Sequence, residues 1–159
     1  MKSLILFICC LIPMLSSAQH DRATKKEGLS KTELEYAKKL FITMMNSKTY
    51  VRMNDAIHKL NEKSSSVYNE ISEMKKIKTR QDAEKLYRDW LVKNLKNTKF
   101  KSVEEGLAAH MEAYDLSAKN IKENPDFFRL LYKANARQIG EIMKPKFMAD
   151  RNRVLYPGH

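Results

Sequence analysis

Residues 50–74 read YVRMNDAIHKLNEKSSSVYNEISEM, and within them Tyr50, Met53, Ile57, Leu60, Ser64, Val67, Ile71 and Met74 recur at alternating steps of three and four. Steps of that kind put every one of these residues on one side of an α-helix, whereas a half-buried strand needs strict alternation. The run is a heptad seam, and a seam of this kind wants a second helix packed along it. Polar Ser64 interrupts it where Ser64-Ser65-Ser66 weakens the helix. An intramolecular bundle is the preferred partner for the seam, because the run barely reaches the length that argues for a coiled coil. A homodimer through the same seam is the alternative.

Composition extends the helical reading to the whole chain. Only four glycines and four prolines occur in 159 residues, and β proteins need many turns built from those residues. Lys, Glu, Ala, Leu and Met are abundant instead, and they lose little rotamer freedom in a helix.

Upstream of the seam, Ser30 with Glu33 three positions later forms a capping-box pattern, followed by the stripe Leu34, Ala37, Leu40, Phe41, Met44 and Met45. Asn46-Ser47 closes that helix. Downstream, Thr79 is the expected cap of a third helix whose apolar face holds Ala83, Leu86, Tyr87, Trp90, Leu91 and Leu95 and which ends near Asn97-Thr98. Ser102 and Glu105 repeat the capping-box pattern before a fourth stripe of Val103, Leu107, Met111, Tyr114, Ala118 and Ile121. Asn124-Pro125 starts a fifth helix, since proline tolerates the first helical position, where its missing N–H would have had no partner. That helix carries Phe127, Phe128, Leu131, Ala134, Ile139, Ile142 and Met143 and is expected to break or kink at Pro145.

The fold expected is therefore all-α, a single and mostly antiparallel bundle of about five helices. Its expected core includes Leu40, Phe41, Ile57, Leu60, Ile71, Leu86, Trp90, Leu107, Met111, Phe128, Leu131 and Ile139.

The first residues give the expected compartment. Lys2, an apolar run from Leu4 to Leu15 and then Ser16-Ser17-Ala18 make a charged start, a short apolar region and a small-residue cleavage site. The run contains Pro13 and is shorter than the roughly twenty apolar residues a membrane span requires. The expected organisation is a signal peptide over 1–18, a flexible leader over 19–29, the helical domain over 30–147 and a tail over 148–159. The protein is then exported, periplasmic or secreted. Both cysteines, Cys9 and Cys10, lie in the apolar run, so cleavage leaves a chain without thiols, disulfides or thiolate metal ligands. Lipidation at either cysteine is disfavoured, because Phe7-Ile8 precede Cys9 and Leu11 to Leu15 follow.

Charge is the next guide. The chain carries +11, or +10 without Lys2, and the segment 75–101 alone holds ten Lys or Arg against Asp82, Glu84 and Asp89. On a helical wheel Lys85, Arg88, Lys96 and Lys99 fall opposite the stripe centred on Trp90, and Lys78 extends the same basic face. A solvated face is the ordinary reading of such a pattern. As a binding face it calls for an acidic protein partner or an anionic envelope surface. Nucleic acid is not expected, for no basic aromatic motif is present. The segment 102–124 carries five carboxylates against Lys119 and Lys122, and partly offsets its basic neighbour.

Chemistry-bearing motifs are sparse. Asp55-Ala56-Ile57-His58 has the wrong carboxylate for a di-iron bundle and no second copy, and His110 has Leu107 three residues before it. Both histidines are expected as half-exposed helical residues. Met44 or Met45 with His110 could ligate a haem, but methionine stripes are more often core, because thioethers fill irregular gaps. Ser64-Ser65-Ser66 lacks an adjacent His, and adjacent Glu104-Glu105 point in different directions on a helix. No catalytic residue, metal ligand or cofactor is expected. The readings that remain are an exported binding protein of inhibitor or immunity type, an envelope chaperone exploiting adaptable methionines, and, last, a small lytic enzyme with an acidic cleft.

The stripe analysis yields one quantitative expectation. Trp90→Ala should cost about 3 to 5 kcal/mol in denaturant unfolding if the ring is fully buried; an unchanged midpoint would put the ring at the surface.

Overall fold

The computed structural model describes residues 28–64 and 77–155, with side chains described as far as 146. The expected signal peptide and most of the leader, the seam residues Val67, Ile71 and Met74, and the last four residues of the tail lie outside the described residues. The protein is all-helical: among the described residues there are six α-helices, one 3-10 turn and no strand. No helix there is long and apolar enough to cross a membrane.

The helices are α1 (Lys31–Met45), α2 (Lys48–Ser64), α3 (Arg80–Asn94), the 3-10 turn Leu95–Asn97, α4 (Val103–Glu123), α5 (Pro125–Lys133) and α6 (Ala136–Leu155). They group into two compact units, residues 49–120 and residues 28–48 with 121–155.

In the second of these units α1 packs on α5 and α6. Its start follows the sequence pattern: the Ser30 hydroxyl accepts from the Glu33 N–H, and the Glu33 carboxylate accepts from the Ser30 N–H. Glu33 also receives the Lys133 ammonium at 2.9 Å. That contact and the Ser30 bonds hold its carboxyl down to about 2. Phe41 stacks on Phe127 with ring centroids 5.5 Å apart, and Phe127 meets Phe128 edge-on. Ala37, Phe41, Met44, Phe127, Phe128, Leu130, Ala134, Ile142 and Met143 are buried.

Three expectations need correction here. The fifth helix is two helices, because Asn135 caps a new one inside the apolar run. Its side-chain oxygen accepts from the Gln138 N–H at 3.0 Å, and the Gln138 side-chain oxygen accepts from the Asn135 N–H at 3.2 Å. Pro145 does not end the helix: it lies inside α6, which runs on to Leu155 and so crosses the boundary expected at 147. Leu29, assigned to the leader, is buried, and the Gln138 amide clamps both its N–H at 2.8 Å and its C=O at 2.7 Å. The preceding Gly28 has φ +83°, and a side chain there would meet Asn135 and Gln138.

The first unit contains α2, α3 and most of α4. The described half of the seam is buried throughout, at Tyr50, Met53, Ile57, Leu60 and Ser64. Thr79 caps α3 with Asp82 returning the bond. Ser102 accepts from the Glu105 N–H at 3.1 Å. The Glu105 carboxylate, however, turns to the Lys101 N–H and to the Lys63 ammonium instead of completing a capping box. Pro125 opens α5 as expected, but the Asn124 side chain accepts no capping hydrogen bond.

Candidate functional site

In the first unit α3 and α4 meet around Gly106 and His110. A side chain at Gly106 would stand 2.6 Å from a terminal methyl of Leu91 and 3.2 Å from the Phe100 ring. Gly106 therefore lets the start of α4 approach α3 and the following turn closely. One helical turn later His110 fills the space so created. Its ring centroid lies 4.7 Å from that of Tyr87, 5.9 Å from Trp90 and 6.0 Å from Phe100. Two of these rings come from α3, and Phe100 comes from the connection to α4.

Only 1% of His110 is exposed, which corrects the half-exposed placement expected for it. The signal was present in the sequence, since His110 stands three residues after Leu107 and four after Gly106, on the stripe itself. His58, by contrast, is half-buried as expected. The His110 Nδ1 lies 2.7 Å from the Gly106 carbonyl oxygen. A carbonyl only accepts, so in the neutral ring the proton sits on Nδ1. Burial pushes the imidazole down to about 4 from its ordinary 6.5, and that hydrogen bond acts in the opposite direction.

The outer side of α3 carries the basic face, and its five residues fare differently. Lys78, Lys85, Arg88, Lys96 and Lys99 are all exposed. Lys85 pairs with Asp89 at 2.8 Å, and Arg88 lies 3.9 Å from both Glu84 and Glu104. Lys78 sits beside Asp82, which accepts its backbone N–H. For Lys96 and Lys99 no carboxylate partner occurs among the described residues. Unbalanced charge is therefore concentrated at the end of α3 and in the turn that follows. Val92 stands between Arg88 and Lys96 on the same face and is 66% exposed. Arg80 makes a two-pronged bond to Asp115 on α4, at 2.9 and 3.0 Å, and is occupied.

Of the other residues singled out, Phe41, Ile57, Leu60, Trp90, Leu107, Met111 and Phe128 are buried, whereas Leu40, Leu86, Leu131 and Ile139 are half-buried. The half-buried residues flank their stripes: Phe41 is buried beside Leu40, Tyr87 beside Leu86, and Leu130 in place of Leu131. Glu104 and Glu105 diverge, the former to Arg88 and solvent and the latter to Lys63. Among the described residues no group of three or more His, Cys, Asp or Glu side chains is placed to hold a metal ion.

The chain matches no protein-family model, and comparisons with curated proteins and with solved structures find no similar protein.

The two helical glycines separate packing from propensity. Ala is favoured over Gly in a helix by about 1 kcal/mol, while overpacking a filled core costs about 1 to 3 kcal/mol. Gly106→Ala should lower stability, because Leu91 is fully buried and Phe100 closes the other side. Gly140→Ala should raise it, because nothing lies within 4 Å. Chemical denaturation of both variants gives the two signs.

Proposed function

We propose that the protein is an exported, non-enzymatic helical-bundle protein of inhibitor or immunity type. It binds one acidic protein partner along the outer face of α3 and the turn after it. The observation that carries this reading is the exposed pair Lys96 and Lys99, without carboxylate partners among the described residues, at the end of a face that also presents Arg88 and Val92. Fixed carboxylates neutralise the other end of the face, so an acidic partner gains most from the Val92 to Lys99 end. Export rests on the sequence of residues 1–18.

The methionines weigh against the many-client chaperone reading. Met44, Met53, Met111 and Met143 are buried, so they fill gaps in the core instead of offering an adaptable surface. The lytic-enzyme reading receives no support from Glu104 and Glu105, which point to different partners.

Affinity capture from an envelope fraction tests the proposal, with Lys96→Glu/Lys99→Glu as the comparison. One stoichiometric partner is expected, with affinity at least about tenfold weaker when salt rises from 0.05 to 0.5 M, because exposed charge pairs are screened at that ionic strength. The double reversal should weaken it similarly. A partner held equally well by the double variant contradicts the assignment of the face, and many weak clients would favour the chaperone.

A further inference from the structure

Between α3 and α4 the chain makes a turn whose backbone is fastened residue by residue. The Thr98 N–H donates to the Leu95 carbonyl at 3.0 Å, the Lys99 N–H to the Lys63 carbonyl of α2 at 2.7 Å, the Phe100 N–H to the Thr98 hydroxyl at 3.3 Å and the Lys101 N–H to the Glu105 carboxylate at 2.7 Å. Four successive donors are engaged. Phe100 is buried and anchors the middle of the turn, while Lys96, Lys99 and Lys101 are exposed. These cations therefore project from a backbone that is held in place.

Two of the fastenings meet at one ion pair. Lys63 gives its carbonyl to Lys99 and its ammonium to Glu105 at 2.6 Å, and the second Glu105 oxygen takes the Lys101 N–H. The circuit from Lys99 through Lys63 and Glu105 to Lys101 is closed, and the Lys63 ammonium also lies 5.8 Å from the centre of the Phe100 ring. Helix capping alone does not call for this arrangement. Asp82, at the matching position of α3, accepts the N–H groups of both Lys78 and Thr79. Glu105 accepts that of Lys101 and turns its other oxygen to α2. The Lys63 contact first, and the Lys101 N–H after it, hold the Glu105 carboxyl below the usual carboxylate range, so it is an anion at neutral pH.

We propose that Glu105 is a positioning residue for the basic face: it fixes the shape of the turn after α3, so that the lysines there fit carboxylates set on a folded protein surface in preference to a flexible acidic chain. In its use this rests on the reading of the outer face above; the fastening of the turn rests on the hydrogen bonds alone.

Glu105 acts on an acidic partner in two opposed ways. Its charge offsets Lys63 and repels the partner, whereas its bonds order the backbone that carries the cations. A surface ordered before binding loses less conformational freedom on association. That gain goes to a partner whose own charges are fixed, because an adaptable chain follows the cations wherever they stand and responds mainly to net charge. For the fold the pair does little: its side chains are 46% and 32% exposed, and solvent screens a pair so placed. Losing it should show in the turn and hardly at all in global unfolding.

The test compares Glu105→Ala with Glu105→Gln in the full chain. Both remove the same charge, but only the glutamine keeps an oxygen for the Lys101 N–H. Amide hydrogen exchange at Lys101 should be at least about tenfold faster in the alanine variant and close to wild type in the glutamine variant, with the urea midpoint of Trp90 fluorescence nearly unchanged in both. Two acidic probes read the consequence at low salt: an alanine-based helical peptide with its glutamates along one face, and poly-L-glutamate, which charge repulsion keeps coiled at neutral pH. Glu105→Ala should bind the helical peptide at least about threefold more weakly in spite of its extra positive charge, and poly-L-glutamate as well or better; Glu105→Gln should recover the helical peptide. Glu105→Met, which also lacks an acceptor, replaces the alanine variant should that fail to fold. Unchanged exchange at Lys101 overturns the proposal, and so does tighter binding of both probes by the alanine and glutamine variants alike, which would mean that charge alone decides. A Lys96→Glu/Lys99→Glu variant that binds the helical peptide like wild type would remove the reading of the outer face, and the selectivity with it, while faster exchange at Lys101 would still show that Glu105 holds the turn.

Discussion

The unit spanning residues 49–120 depends on enclosing an imidazole between two helices. Gly106 has no side chain, so Leu91 and Phe100 close onto the start of α4, and His110 sits one turn on among Tyr87, Trp90 and Phe100. Buried polar groups are stabilising only while their hydrogen bonds are made and their charge is absent. Here the Nδ1 proton is given to the Gly106 carbonyl, the carbonyl one turn earlier in the same helix.

The ion pairs at the surface of this unit are weaker. Lys63 to Glu105, Arg80 to Asp115 and Arg88 to Glu104 tie neighbouring helices at their exposed edges. Exposed pairs of this kind contribute little stability each. Their effect is on the charge pattern, since they occupy Glu104, Glu105 and Asp115 of α4, while Lys96 and Lys99 have no carboxylate partner among the described residues. In the second unit the same division holds: Phe41 on Phe127 makes the core, and Glu33 with Lys133 marks its edge.

Helices and their starts were legible in the sequence because caps and stripes are local. Ser30 with Glu33 forms the capping box that the sequence suggests, and Thr79 caps α3 where the sequence suggests. The break at Asn135 was equally local, as Asn135-Ala136-Arg137-Gln138 has capping-box spacing. The long apolar run from Phe127 to Met143 masked it. Pro145 misled for the opposite reason, since the penalty of proline in a helix is large but does not decide when the rest of α6 is favourable. Which cations keep partners was not legible, because Arg80 finds Asp115 across 35 residues of sequence. His110 was misplaced because a histidine is read as polar by type, although its position on the stripe pointed inward.

The protonation of His110 tests the account most directly. An NMR titration of the imidazole resonances in the folded chain should give a midpoint well below 6.5, near 4, with the proton on Nδ1 in the neutral form. A midpoint at or above 6.5 would contradict the enclosed ring on which the packing of α3 against α4 is argued to depend.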